Sequence, residues 1–157
     1  MGETEKRLKE LEIVLPYKDR KGKSLLRLRK DGQLIYLSGH GCDTPNGKLL
    51  YEGRLGAEVN VEEGYKAARQ VGINLLASLK DYLGNLDRIE KIIKVLGFVA
   101  CTPDFNDQPQ VMHGFSDLMT EVLGDRGKHA RSAVGVTALP GKTPVEVEMI
   151  VKIKDWI

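Results

Sequence analysis

Residues 128–150, KHARSAVGVTALPGKTPVEVEMI, contain two alternating runs separated by Pro140-Gly141-Lys142-Thr143-Pro144. A turn-rich break between two period-2 runs is the pattern of a β-hairpin. Successive side chains of a strand point to opposite sides, so Ser132, Val134, Val136 and Ala138 share one face while Arg131, Ala133, Gly135 and Thr137 share the other. In the second run Val145, Val147, Met149, Val151 and Ile153 alternate with Glu146, Glu148, Ile150, Lys152 and Lys154. The expectation is a hairpin with one apolar face for a core and one face carrying an arginine, small residues and two carboxylates. Small residues leave space above a sheet, and a guanidinium at the edge of that space can hold a carboxylate or phosphate in a two-pronged hydrogen bond. A turn centred on Gly141-Lys142 sets Arg131 opposite Lys152, roughly 20 Å from Glu146 along the ribbon at about 3.3 Å per residue. One small acid cannot touch both within a single chain at that separation.

Working outward, the 157 residues amount to one domain. With 29% charged and 41% hydrophobic residues the composition is that of an ordinary soluble globular chain. The net charge of +2 supplies no global field calling for nucleic acid or membrane. No apolar run reaches the length of a membrane span, and MGETEKRLKE has neither an apolar h-region nor a cleavage site, so a cytoplasmic location is expected. Cys42 and Cys101 are two thiols expected to stay reduced there.

The chain opens with Thr4 as N-cap of a short helix carrying Leu8 and Leu11 and ending before Pro16. Residues 18–30 form a basic segment, read either as a solvated strand edge or as a phosphate or RNA contact; no aromatic stacking platform is interleaved with its charges. Strands are expected at 25–29 and 33–38, joined by Asp31-Gly32, and at 48–51. Asn60 with Glu63 makes a capping-box start for a helix whose inner face holds Tyr65, Ala68, Val71, Leu75, Leu79 and Tyr82. Residues 89–101 read as a buried central strand, and Asn106 or Asp107 starts a second long helix that stops at Gly124. The sum is α+β: a six-stranded mixed sheet, two long helices on one face, and a short N-terminal helix. The other sheet face, with Ala133, Gly135 and Ile150 beside its charges, is expected to be covered by association.

The pattern HARSAVGVTALP followed by VEVE resembles the RidA (YjgF) family, as do LIYLSGHG at 34–41 and KVLGFVACTPDF at 94–105. The resemblance spans residues 25–154 as the core of a single domain covering 1–157, with 1–24 as N-terminal helix and basic extension, and is strongest to the larger chorismate-mutase-like subgroup. It implies a homotrimer with pockets at the three subunit interfaces and no cofactor or metal. It also implies an activity: hydrolysis of enamine or imine acids to 2-keto acids and ammonia. Arg131 matches the family's carboxylate-holding arginine and Glu146 the glutamate that positions a water; Ser38 and Gly39 match the pocket-lining Ser-Gly. His40, His113 and Ala133 fall at substrate-binding positions where Gln, Asn and Cys are frequent in the family. The pocket tyrosine corresponds to Leu25 by spacing and to Tyr17 by its Pro-Tyr context.

Each residue also has a plainer reading. Arg131 can be an interface ion-pair partner, Glu146 and Glu148 exposed strand residues, and His113 a hydrogen-bonded structural histidine. A zinc site from His40, Cys42, Cys101 and His113 has suitable ligand types but poor spacing. Ser38 lacks a base at any recognisable spacing for a nucleophile. Two other functions stay open: a module that binds or senses a small carboxylate without turnover, and the endoribonuclease or translation-inhibitor role with which the family has been labelled.

Overall fold

Helix α2, Val61–Leu83, begins where Asn60 accepts a hydrogen bond from the Glu63 amide at 2.8 Å and the Glu63 carboxylate accepts from the Asn60 amide at 3.1 Å. Those two bonds satisfy donors that the first helical turn leaves unpaired. The computed structural model describes residues 1–16 and 24–155. Within them the order is α1 (Glu3–Glu10), β1 (Leu28–Asp31), β2 (Leu34–His40), α2, β3 (Ile89–Ala100), α3 (Gln108–Leu123), β4 (Ala130–Val136) and β5 (Val145–Ile153). The single sheet runs β1-β2-β5-β3-β4, with β3 and β4 parallel and the other pairs antiparallel.

Both long helices lie on one face of this sheet. Val71, Leu75, Leu76 and Leu79 of α2 and Val111, Phe115, Leu118 and Met119 of α3 are fully buried against Ile35, Val95, Val99, Val147 and Val151. Each such side chain contributes about 1.5–3 kcal/mol by leaving water. The helices approach closely because Gly114 has no side chain: a β-carbon there would stand 2.0 Å from the Tyr65 carbonyl oxygen. Tyr82, expected on the inner face of α2, is half exposed instead.

The sheet departs from expectation in three ways. It has five strands, because residues 48–51 make only an isolated bridge between Asp43 and Leu49. Thr44 and Lys48 close a tight turn there through Gly47 at φ +83°, which leaves no length for a strand. The first strand starts at Leu28, and Leu25 and Leu26 are exposed.

The third departure matters most: β4 and β5 are not a hairpin. The Ala100 amide donates to the Pro144 carbonyl and the Cys101 amide to the Val136 carbonyl, so the end of β3 lies between the two runs. The physical reason lies in the crossovers. β2 and β3, joined through α2, run parallel and leave a gap one strand wide, which β5 fills antiparallel to both. β4, joined to β3 through α3, becomes a parallel edge strand, the outcome expected of a strand-helix-strand unit.

This arrangement inverts the faces of β4. Gly135 lies under the start of α3, where an added β-carbon would meet Cys101 Sγ at 2.7 Å and Gln108 Nε2 at 2.8 Å. The small residues Ala133 and Gly135 therefore make room for protein, and Ser132, Val134 and Val136 turn to the open face. In β5 the alternation holds as expected, with Val145, Val147, Met149, Val151 and Ile153 buried.

Helix α1 is held by a carboxylate from outside itself. Its N-cap position is Gly2, while Thr4 sits inside the first turn. Asp87 accepts from the amides of Glu3 and Thr4, both at 2.8 Å, and from Thr4 Oγ1 at 2.5 Å; Arg126 Nη2 donates to Thr4 Oγ1 at 2.8 Å. Burial raises the Asp87 pKa, but these hydrogen bonds and the Arg126 charge outweigh it and hold the group below the usual carboxylate range. The Asp87→Ala variant is expected to lose about 1–2 kcal/mol, the value of an N-cap. Because the folded-state pKa is depressed, that advantage is present above the ordinary carboxylate range and disappears as pH falls through the folded value. Amide exchange at Leu8 in the two proteins at pH 7 checks it; equal protection would contradict the assignment.

Candidate functional site

Arg131 projects from β4 toward α3. Its Nη1 donates to His113 Nδ1 at 3.2 Å and to Ser116 Oγ at 3.0 Å, two acceptors one helical turn apart on α3. Among the described residues Nε and Nη2 make no hydrogen bond, so the two parallel donors on the side edge of the guanidinium are uncommitted. Burial lowers the Arg131 pKa and the Asp117 charge opposes the shift; the group remains a cation. Asp117 is itself held by Tyr65 Oη, which donates at 2.6 Å, and this bond, then burial, pushes the tyrosine pKa up to about 12.

Glu146 projects from β5 to the opposite, open face and lies against Gly39. A β-carbon on Gly39 would stand 2.8 Å from Glu146 Cδ, so a side chain there would push the carboxylate from this position. Burial raises the Glu146 pKa and the neighbouring Glu148 charge adds to it.

The contact depends on a β-bulge. Leu37 pairs with Met149 and His40 with Val147, so β2 carries one extra residue across Ser38-Gly39. The bulge flips the alternation and sends His40 into the core, 7% exposed, with Nδ1 at 2.7 Å from the Ser38 carbonyl and Nε2 at 2.8 Å from Ser78 Oγ of α2. Ser38 Oγ donates to the Leu26 carbonyl at 2.6 Å. His40 thus braces the Ser38-Gly39 backbone from behind.

The expected residues accordingly fall into two groups. Gly39 and Glu146 meet on the open face, with Ser38 beside them. Arg131 and His113 meet on the helix side, where Ala133 packs half-buried against the core. Arg131 is level with Val95 and Glu146 with Phe98, three positions along β3 and on its opposite flanks. That is about 10 Å along the strand, against the ~20 Å of the expected hairpin, and the side chains point to opposite faces. The open face also holds a cleft of ≈ 220 Å³ lined by Tyr36, Lys94, Leu96, Glu148 and Ile150. Among the described residues no three of His, Cys, Asp or Glu come together as metal ligands. The alternative pocket tyrosine, Tyr17, and residues 18–23 of the basic segment lie outside the described residues.

Two residues escaped the sequence reading. Ser116 and His129 join Arg131 on the helix side, Ser116 Oγ lying 2.9 Å from His129 Nε2. The signals were present: 113 and 116 share a helix face, and 129 and 131 share a strand face.

The fold agrees with the comparisons to known proteins. Residues 23–151 match the family model described as "YjgF/chorismate mutase-like, putative endoribonuclease". The chain belongs to the RidA/YjgF family. Protein TCP17 of Trypanosoma cruzi is 37% identical over 131 residues, covering 83% of this chain and 77% of that one. The crystal structure of Atu1372, a protein of unknown function from Agrobacterium tumefaciens, is 39% identical with a TM-score of 0.88, covering 96% of this chain and 91% of that one. A "putative endoribonuclease" from Shewanella oneidensis MR-1 superposes with a TM-score of 0.91 at 30% identity, over 97% of this chain and 100% of that one. No helix among the described residues is long and apolar enough to cross a membrane.

The raised Glu146 pKa has a measurable sign. Above the folded value the carboxylate is ionised in both states and its burial costs stability; below the ordinary carboxylate pKa it is neutral in both and the cost is gone. Glu146→Gln is therefore expected to melt higher than the parent near pH 7, with the difference shrinking toward pH 4. A melting-temperature difference independent of pH would contradict it.

Proposed function

We propose that the protein hydrolyses small enamine or imine acids to 2-keto acids and ammonia. The observation that carries this reading is the state of Arg131: one guanidinium nitrogen is clamped by His113 and Ser116, and the Nε/Nη2 edge is left for a carboxylate. Held there, an iminium acid loses electron density toward its carboxylate and is stabilised as charge develops. Glu146, poised on Gly39, orients a water for attack on the imine carbon. The water oxygen bonds to that carbon as one of its protons passes to Glu146; Glu146 returns that proton to the carbinolamine nitrogen, and ammonia leaves as the C–N bond breaks and the hydroxyl loses its remaining proton to form the carbonyl. His113 Nδ1 accepts from a guanidinium that can only donate, so its proton is on Nε2. No cofactor enters this scheme.

Arg131 and Glu146 face opposite sides of one sheet, so a site using both must draw them from two chains. The homotrimer implied by the family resemblance supplies that geometry: three pockets, each with Arg131 from one subunit and Glu146 from its neighbour. The exposed apolar side chains Tyr36 and Val134 on the open sheet face support association through that face.

A second reading, a binding module for small carboxylates without turnover, draws on His40 and Ala133, both committed to the core rather than to a pocket. An RNA-cleaving role draws on the family model's description, a relative's name and the basic segment at 18–30, against a net charge of +2.

Imines generated in situ from several amino acids, with ammonia release as the readout, decide between these. The parent protein is expected to accelerate release. Arg131→Lys is expected to lose it, since a point charge cannot replace a planar fork and the lost charge-assisted bond costs about 1.5–3 kcal/mol. Binding of 2-ketobutyrate without turnover would favour the sensing module, and RNA cleavage that Arg131→Lys leaves intact would overturn both carboxylate readings.

A further inference from the structure

We infer that Ser116 and His129 are positioning residues for Arg131, linked in a polarised hydrogen-bond chain that runs from the Gly127 carbonyl to the guanidinium and selects the edge it presents. The inference rests on the reading of Arg131 as the holder of a small acid's carboxylate.

The direction of every bond in the chain follows from donor and acceptor chemistry. His129 Nδ1 lies 2.6 Å from the Gly127 carbonyl oxygen, which can only accept, so the ring proton is on Nδ1. At the other end Arg131 Nη1 can only donate, so Ser116 Oγ accepts from it at 3.0 Å. The serine hydroxyl hydrogen then has one acceptor among the described residues, His129 Nε2 at 2.9 Å, which must be bare. His129 is thereby the neutral Nδ1–H tautomer. Burial, opposed by the Gly127 bond and joined by the Arg131 charge, lowers its pKa, in keeping with a neutral ring. Phe115 packs edge-on against the imidazole with centroids 5.7 Å apart and fixes its plane.

The purpose of such a chain is orientation. A guanidinium on a flexible stem can offer a carboxylate either its Nη1/Nη2 end or its Nε/Nη2 side. With Nη1 spent on Ser116 and His113, only the side edge remains, and the rotation that would exchange the two Nη groups is blocked. His113 alone, exposed on α3 at 3.2 Å, is the looser of the two anchors.

Nitrogen-15 NMR of the intact protein, labelled at arginine and histidine, tests the chain without any ligand. His129 is expected as the Nδ1–H tautomer and Arg131 with slowed rotation about its Cζ–Nε bond. Ser116→Ala should accelerate that rotation and weaken 2-ketobutyrate about tenfold, or ~1.4 kcal/mol, while Ser116→Thr, which keeps the hydroxyl, restores both. A His129 Nε2–H tautomer, or rotation and affinity unchanged in Ser116→Ala, would overturn the proposal. If the parent shows the tautomer and slow rotation but binds no 2-ketobutyrate, the chain stands and the carboxylate reading of Arg131 falls.

Discussion

Everything about this site follows from where β5 lies. A strand inserted antiparallel between β2 and β3 satisfies the backbone donors and acceptors of three strands at once, and its five inward side chains, Val145 to Ile153, anchor the core beneath both long helices. Its insertion moves β4 to the sheet edge as the parallel partner of β3. Arg131 then has α3 above it, while Glu146 has open sheet around it. Moving Glu146 to the helix face would require a one-residue slip of β5, which would turn Val145, Val147 and Val151 out of the core.

The same economy appears at the Ser38-Gly39 bulge. One extra residue in β2 turns His40 inward onto Ser78 and leaves Gly39 bare under Glu146. The bulge therefore ties a buried hydrogen-bond brace on the helix side to a carboxylate seat on the open side. On the far flank, β4 does the equivalent for Arg131 through Ser116 and His129. Each half-site is braced by its own hydrogen bonds, as the proposed reaction would require of groups that hold a small molecule in place.

Much of this was legible in the sequence, and the misses have physical causes. Asn60 and Glu63 announced α2, and the alternation of 145–153 announced β5 with its faces correct, because both signals are local. The Pro-Gly-Lys-Thr-Pro break signalled a turn correctly but not its neighbours, since strand pairing is decided by the α2 and α3 crossovers far away in sequence. The face of β4 was read wrongly for the same reason: Ala133 and Gly135 look alike whether the space above them is for a ligand or for the start of α3. Ser116 and His129 carried spacing signals that meant nothing until β4 was placed beside α3.

The central claim is that one working site takes Arg131 and Glu146 from two chains, and subunit mixing tests it most directly. Arg131→Ala and Glu146→Ala proteins, each inactive in imine hydrolysis, are unfolded together and refolded at equal concentration. Random assortment around a closed ring restores roughly a quarter of the pockets, and ammonia release should return to about that fraction of the parent's rate. A mixture that stays inactive although mixed oligomers form, or a parent protein fully active as a monomer, would contradict the account.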